Sequence, residues 1–274
     1  MPQTIVFVHA HPDDEASQTS GAMARAAAEG SRVVLVIATG GEHGESPEDL
    51  APGETLKDRR RAEAEQSAAA LGVARLAWLG YVDSGMTGWE QNEHDGAFTA
   101  APVDEAGARL AAILDEEDAD VVVGYDWHGG YGHPDHIAVH RTVRRAAELA
   151  ARAPRLLEST MNRDVMRGFR DAMKAAGMGE DELFDPDAPM DDGNPLGTPQ
   201  DEITWQVDVS AYLPQRRAAL EAHRSQVTDV GMMLSMPPEA FAAFFGTEHY
   251  IEPSSSEPMR PGWPFGQDAS VPVG

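Results

Sequence analysis

Short, unbroken apolar runs alternate along the first half of the chain with longer Ala-rich stretches of helical period. Residues 4–8 (T-I-V-F-V) and 32–38 have the composition of strands buried on both faces of a parallel sheet. Between them, 19–29 is Ala-rich and stops at Gly30, the usual residue for ending a helix in the left-handed conformation. The period then repeats. Residues 57–71 predict a helix ending at Gly72, 74–79 a third strand, 104–118 a third helix and 120–124 (D-V-V-V-G) a fourth strand. A last helix over 134–152 opens on Pro134, where the missing donor costs nothing. Four such alternations predict an α/β fold: a Rossmann-like, mostly parallel sheet with right-handed crossovers, flanked by helices.

Past residue 152 the pattern breaks. Residues 161–177 have room for one helix, whereas 180–200 are acidic, rich in Pro and Gly, and read as an irregular insertion or lid. A strand is expected over 203–209 and a helix over 214–226, and the chain from 252 is rich in Pro and Ser. The expected organisation is a core over 1–152, with 153–274 supplying the insertion or lid and a smaller C-terminal lobe that completes the same domain.

Two polar stretches stand at strand ends: V-H-A-H-P-D-D-E (8–15) after the first strand and G-G-Y-G-H-P-D-H (129–136) after the fourth. Ligands of open parallel sheets bind beyond the carboxyl ends of the strands, so both stretches should face one pocket. His11 and Asp14, three residues apart on a strand-to-helix turn, can converge on one ion, and His136 would supply a third ligand. Two histidines and one carboxylate with an open fourth position is the arrangement of a catalytic zinc; structural zinc is usually closed by four ligands. The same donors suit ferrous iron.

Asp13 is then expected to be the general base, taking a proton from water whose pKa the metal lowers toward about 7. A protonated His133 is expected to stabilise the oxyanion, with Asp135 hydrogen-bonded to that imidazole to keep it cationic. His9, by strand alternation, belongs to the packing around the site. His140, one helical turn after His136, is an alternative ligand, and His43, His94 and His128 carry no assignment. Carboxylates before a helix commonly just complement its dipole. Capping explains neither the histidines nor the duplication of the motif on two strands.

Charge narrows the partners. A formal net charge of -25, from 46 acidic against 21 basic side chains, repels phosphate backbones and anionic lipid surfaces, so neither nucleic acid nor a membrane is an expected partner. A small-molecule substrate is. The absence of cysteine excludes disulfides, thiolate ligands and a thiol nucleophile, leaving nitrogen and oxygen to hold the metal. No stretch has the apolar length of a membrane span or a leader, so a soluble cytoplasmic protein is expected. A dinucleotide-binding protein would share the βα repeat, yet two aspartates stand where its pyrophosphate would bind. A metal-binding module without catalysis leaves Asp13, His133 and Asp135 without a task.

The pair A-H-P-D-D-E and G-G-Y-G-H-P-D-H, with A-H-R-S-Q at 222–226, resembles the zinc-dependent N-acetylglucosaminyl deacetylases of the PIG-L/LmbE-like family. With Y-V-D-S-G-M at 81–86, the likeness is greatest to the mycothiol branch, whose members are N-acetylglucosaminyl-inositol deacetylases and S-conjugate amidases. The resemblance implies a hydrolase that removes an N-acetyl group from an amino-sugar substrate. By it His11, Asp14 and His136 correspond to zinc ligands, Asp13 to the base, and His133 to the residue that stabilises the oxyanion and helps protonate the amine, with Asp135 behind it. Tyr131 matches a mobile tyrosine that polarises the carbonyl, Arg60 a sugar-binding arginine within Arg59-Arg60-Arg61, and Asp83 a carboxylate that binds substrate hydroxyls. Gln18 stands where the conjugate amidases carry lysine, and the insertion at 180–200 matches no motif of the family.

Overall fold

The central strand is β1 (Thr4–His9), paired in parallel with β2 (Arg32–Thr39) on one side and β4 (Val121–Tyr125) on the other. In this computed structural model, which describes residues 2–266, β3 (Arg75–Tyr81) adds to β2 and β5 (Arg155–Thr160) to β4, all parallel. Residues 267–274, the end of the Pro- and Ser-rich tail, lie outside the described residues. β6 (Trp205–Asp208), β7 (Thr247–Ile251) and β8 (Arg260–Pro261) extend the same sheet to eight strands in the order β3-β2-β1-β4-β5-β7-β6-β8. Only β7 is antiparallel to its neighbours.

Strand alternation divides the core into two layers. Ile5, Phe7, Val33, Leu35 and Ile37 pack against α1 (Ser20–Ala28), α2 (Leu56–Ala70) and α6 (Leu213–Ala222) through Met23, Ala64 and Leu220. Val6, Val8, Val34 and Val36 face α3 (Val103–Glu116) and α4 (Pro134–Leu149) through Leu110, Leu114, Val139 and Val143. Each fully buried side chain of this size contributes about 1.5–3 kcal/mol, which is why continuous apolar runs become the inner strands. The sheet reverses direction of growth between β1 and β4. That is where a crevice opens beyond the strand ends.

The α/β fold and its parallel core match the expectation, whereas the second half holds more structure than its composition foretold. β5 (R-L-L-E-S-T) escaped notice because its polar residues are buried: Glu158 pairs with Arg144 at 2.7 Å. The helix expected over 214–226 stops at Ala222, and α7 (Val227–Ser235) and α8 (Pro238–Phe245) follow. The helix given room over 161–177 is α5 (Arg163–Ala175), and short 3-10 turns at Glu180–Glu182 and Gln200–Glu202 stand at the two ends of the insertion. Among the described residues no helix is long and apolar enough to cross a membrane.

A buried ion pair ties the C-terminal strands to α1. Glu248 on β7 accepts from the backbone N–H groups of Gly21 and Ala22, at 2.9 and 3.2 Å, and thereby caps the helix. Its carboxylate also meets Arg216, whose other donor reaches the Ser17 carbonyl at 2.6 Å. Glu248→Ala leaves that guanidinium buried and unmatched, and is expected to cost about 3–5 kcal/mol in urea unfolding.

Candidate active site

The first motif leaves β1 through a turn that no ordinary strand-to-helix connection resembles. Asp13 has φ of 102°, and Glu15–Thr19 form a π-helical turn before α1 begins. Both deviations occur where functional side chains must be aimed, and single π turns frequently mark such places. The turn places Asp14 between two histidines. Its Oδ2 accepts the His11 backbone N–H at 2.8 Å and lies 3.4 Å from His11 Nδ1, while its Oδ1 lies 3.3 Å from His136 Nε2.

Hydrogen bonding assigns the lone pairs. The Gly129 carbonyl can only accept, so His136 Nδ1–H donates to it at 3.1 Å and Nε2 keeps its lone pair. That Nε2 is buried and has no hydrogen-bond partner, an orphaned acceptor of the kind that a metal satisfies. His11 Nε2 lies 3.1 Å from Asp135 Oδ2 and 3.6 Å from Asp83 Oδ1, which directs Nδ1 toward Asp14. A histidine whose far nitrogen is held by a carboxylate is the usual support of a metal ligand.

Two groups of ligand atoms gather within 4.8 Å of one another: His11, His133 and His136, and His11, Asp83 and Asp135. Neither is the expected set of His11, Asp14 and His136, which Asp14 instead joins pairwise. His133 caps α4, and its Nδ1 accepts the Asp135 backbone N–H at 3.1 Å. In the neutral ring the proton must then sit on Nε2, leaving no lone pair for a metal. Asp83 and Asp135 face the nitrogen of His11 that points away from Asp14. The donor chemistry therefore fits a cation at His11, Asp14 and His136.

Two expectations need correction. The Asp135 carboxylate contacts His11 and the Ser84 N–H (2.9 Å), not the His133 ring, because the α4 N-terminus turns only its backbone N–H toward that imidazole. The second concerns the charge expected on His133. Burial, with His11 and His136 nearby, pushes its pKa down to about 2. His140 is no alternative ligand: its Nδ1 meets the Tyr125 carbonyl at 3.0 Å and Glu158 at 3.4 Å, one turn away from the cluster.

The carboxylates are tuned by their neighbours. Burial acts to raise Asp14, but His136 and His11 outweigh it and hold the group well below the usual range. Burial also acts to lower His11, and its hydrogen bonds to Asp135, Asp14 and Asp83 raise it well above the ordinary histidine value. Asp13 is pushed up to about 6 by burial, against the pull of Arg60. Arg60 is the arginine of its triplet that turns inward. It donates to Asp13 Oδ2 at 3.0 Å, to the Pro12 carbonyl and to the Gly41 carbonyl at 2.9 Å, and it is only 4 % exposed. Arg59 pairs with Asp49 and Glu54 instead, and Arg61 lies over the Trp78 ring.

Asp83 clasps two loops, accepting the N–H groups of His43 and Gly85 at 3.1 and 2.8 Å. Tyr131 rides on a loop whose glycines 129, 130 and 132 all have positive φ, and its ring packs 4.9 Å from that of His136. A Cβ at Gly129 would fall 2.2 Å from that of His136, so glycine there is required by the position of His136. The insertion braces the same loop: Gly197 N–H donates to the Gly130 carbonyl at 2.6 Å. Two supporting residues were not foreseen. Tyr125 stacks on His136 at 4.5 Å and bonds His9 Nδ1 at 2.8 Å, and His223, within A-H-R-S-Q, meets Glu15 at 2.6 Å. Tyr125 offered no sequence signal beyond ending an apolar run.

Beside Asp13, Asp14 and Tyr131 opens a cavity of about 450 Å³. Its walls are largely apolar, with Met161, Met166, Phe169, Met233 and Phe244 prominent, and Gln18 stands at its rim with the carboxylates.

Fold and side chains together define a class, a Rossmann-like sheet with a cluster of histidines and carboxylates fit for a cation at the carboxyl ends of its strands. The chain belongs to the PIG-L family: the family model described as GlcNAc-PI de-N-acetylase matches residues 6–147, which span β1 through α4. It is 41% identical over 235 residues to a 1D-myo-inositol 2-acetamido-2-deoxy-alpha-D-glucopyranoside deacetylase of Saccharomonospora viridis, covering 82% of this chain and 85% of that protein. Among solved structures it resembles N,N'-diacetylchitobiose deacetylase of Pyrococcus horikoshii, with a TM-score of 0.54, 24% identity, and coverage of 83% and 72% of the two chains. The 4-carboxy-2-hydroxymuconate hydratase GalB of Pseudomonas putida is similar in fold as well, at a TM-score of 0.53 and 17% identity, over 91% of this chain and 95% of that one. One fold thus carries different reactions, and the site has to decide between them.

Metal analysis of purified variants separates the ligand sets. His136→Ala and Asp14→Ala should lose bound zinc, whereas His133→Ala and His140→Ala should retain it. Asp135→Asn should weaken zinc affinity about 10- to 100-fold through His11. Loss of zinc in His133→Ala would favour the three-histidine cluster.

Proposed function

We propose that this protein is a metal-dependent deacetylase that hydrolyses the N-acetyl group of an N-acetylglucosaminyl substrate, with N-acetylglucosaminyl-inositol as the first candidate. The observation that carries the reading is the meeting of Asp14 with His11 and His136 beyond the ends of β1 and β4, with Asp13 next to it on the same turn and in the same cavity wall, in a chain whose relative is named for that reaction. His11, Asp14 and His136 would hold the cation, zinc in this reading with ferrous iron also suited to the donors, and when bound it supplies Lewis acidity to water and the amide carbonyl.

The chain's own groups do the rest. Asp13 accepts a proton from the water that attacks the carbonyl carbon, and Arg60 holds its carboxylate in place. His133, neutral with its proton on Nε2, donates a hydrogen bond to the oxyanion. Asp13 then passes its proton to the departing amine, and the C–N bond breaks to release acetate and the free amine. Tyr131 stays protonated, because burial with Asp14 and Asp13 raises its phenol well above the ordinary value, and it provides a further donor to the carbonyl oxygen. Arg60 and Asp83, neither of which lines the apolar cavity, are our candidates for contact with the sugar.

That cavity favours a second reading, hydrolysis of a larger N-acyl group such as the acyl portion of a thiol conjugate. Its volume far exceeds the needs of an acetyl methyl. Gln18 at its rim, in place of the amidases' lysine, argues the other way.

Amine release from N-acetylglucosaminyl-inositol, N-acetylglucosamine and a mycothiol conjugate by the zinc-loaded protein tests the proposal. Activity should be greatest on the inositol glycoside, and Asp13→Ala should lower kcat on the order of 10²- to 10⁴-fold while retaining zinc. Asp13→Ala with undiminished turnover would sink the assignment of the base. A preference for the conjugate would transfer the reading to the amidase.

A further inference from the structure

Asp13 is one of two described non-glycine residues with positive φ, the other being Asp118. A side chain in that region costs on the order of 1–3 kcal/mol and persists only where its surroundings over-determine it. Two grips hold it here. Arg60 takes the carboxylate at 3.0 Å, and the backbone N–H of Asp13 donates to Glu15 Oε2 at 3.0 Å.

Glu15 is itself immobilised. It is fully buried, and its Oε1 accepts from Ser67 Oγ at 2.5 Å and faces His223 Nε2 at 2.6 Å, both of them fully buried as well. His223 lies just past the end of α6, and the same turn is stapled to α2 two residues on: the Ser225 N–H and Oγ donate to Glu63 at 3.0 and 2.6 Å. Arg60, Glu63 and Ser67 follow one another at helical spacing, so one buried face of α2 supplies three of these anchors and His223 the fourth. The metal ligand Asp14 does not share this support, since it is held by the His11 N–H and by His136.

We propose that Glu15, clamped by His223 and Ser67, is the positioning residue for the general base: it fixes the Asp13 backbone so that the carboxylate faces the reacting water. The inference rests on the reading of Asp13 as the base. Releasing Glu15 lets Asp13 relax toward negative φ and swings its carboxylate away, while the ligands stay in place. A base displaced by about 1 Å loses rate on the order of 10²-fold without an equal loss of substrate binding.

The experiment measures kcat, KM and bound zinc for the zinc-loaded Glu15→Gln, His223→Ala, His223→Gln and Asp13→Ala variants. Glu15→Gln should lower kcat about 10- to 100-fold with KM nearly unchanged and zinc retained. His223→Gln, whose amide N–H can still reach Glu15, should recover most of what His223→Ala loses. Unchanged kcat in Glu15→Gln, or a fall matched by equal loss of zinc, overturns the inference. Should Glu15→Gln fail to fold, the His223 pair decides it, and equal activity of the two variants counts against the proposal. An active Asp13→Ala removes the base reading itself, whereas an inactive Asp13→Ala beside a fully active Glu15→Gln removes only the positioning role.

Discussion

Asp13, Asp14 and Glu15 are three consecutive carboxylates drawn largely out of water on one turn, and the site is built around matching each with a different partner. Adjacent anions in a low-dielectric setting repel one another and resist burial, so no single cation can serve all three. Arg60 from α2 answers Asp13, His11 and His136 answer Asp14, and His223 with Ser67 answers Glu15. The partners arrive from β1, α2, α4 and the end of α6. Much of the tertiary arrangement is the geometry needed to bring those elements to one point.

How much of this was legible in the sequence follows from how local each feature is. Continuous apolar runs announced β1 to β4, and the two H-P-D motifs announced the strand ends that meet, because burial and turn chemistry act over a few residues. The partnership of Asp135 was not legible. Its neighbour in sequence is His133, but an N-terminal helical turn sends its carboxylate across to His11, 124 positions away in the chain. Among Arg59, Arg60 and Arg61 the resemblance picked out Arg60, and the packing of α2 turns that one inward. β5 and β7 were missed for a related reason. Their buried polar residues are satisfied by long-range ion pairs and caps, and a hydropathy pattern carries no record of those.

The family match ends at residue 147, and the parts of the molecule that differ in character begin soon after it. The catalytic edge belongs to the first half. The apolar cavity beside it takes its Met and Phe lining from α5, α7 and α8, elements of the second half that pack over the site. The apolar part of the cavity wall and the His11–Asp14–His136 cluster are thereby drawn from different stretches of chain.

The position of His223 also sets an order in time. Translation delivers His11, Asp14 and His136 by residue 136 and the parallel core by residue 160, but the imidazole that matches Glu15 emerges more than sixty residues later. The turn that carries Asp13 therefore gains its full set of partners only after α6 has been made.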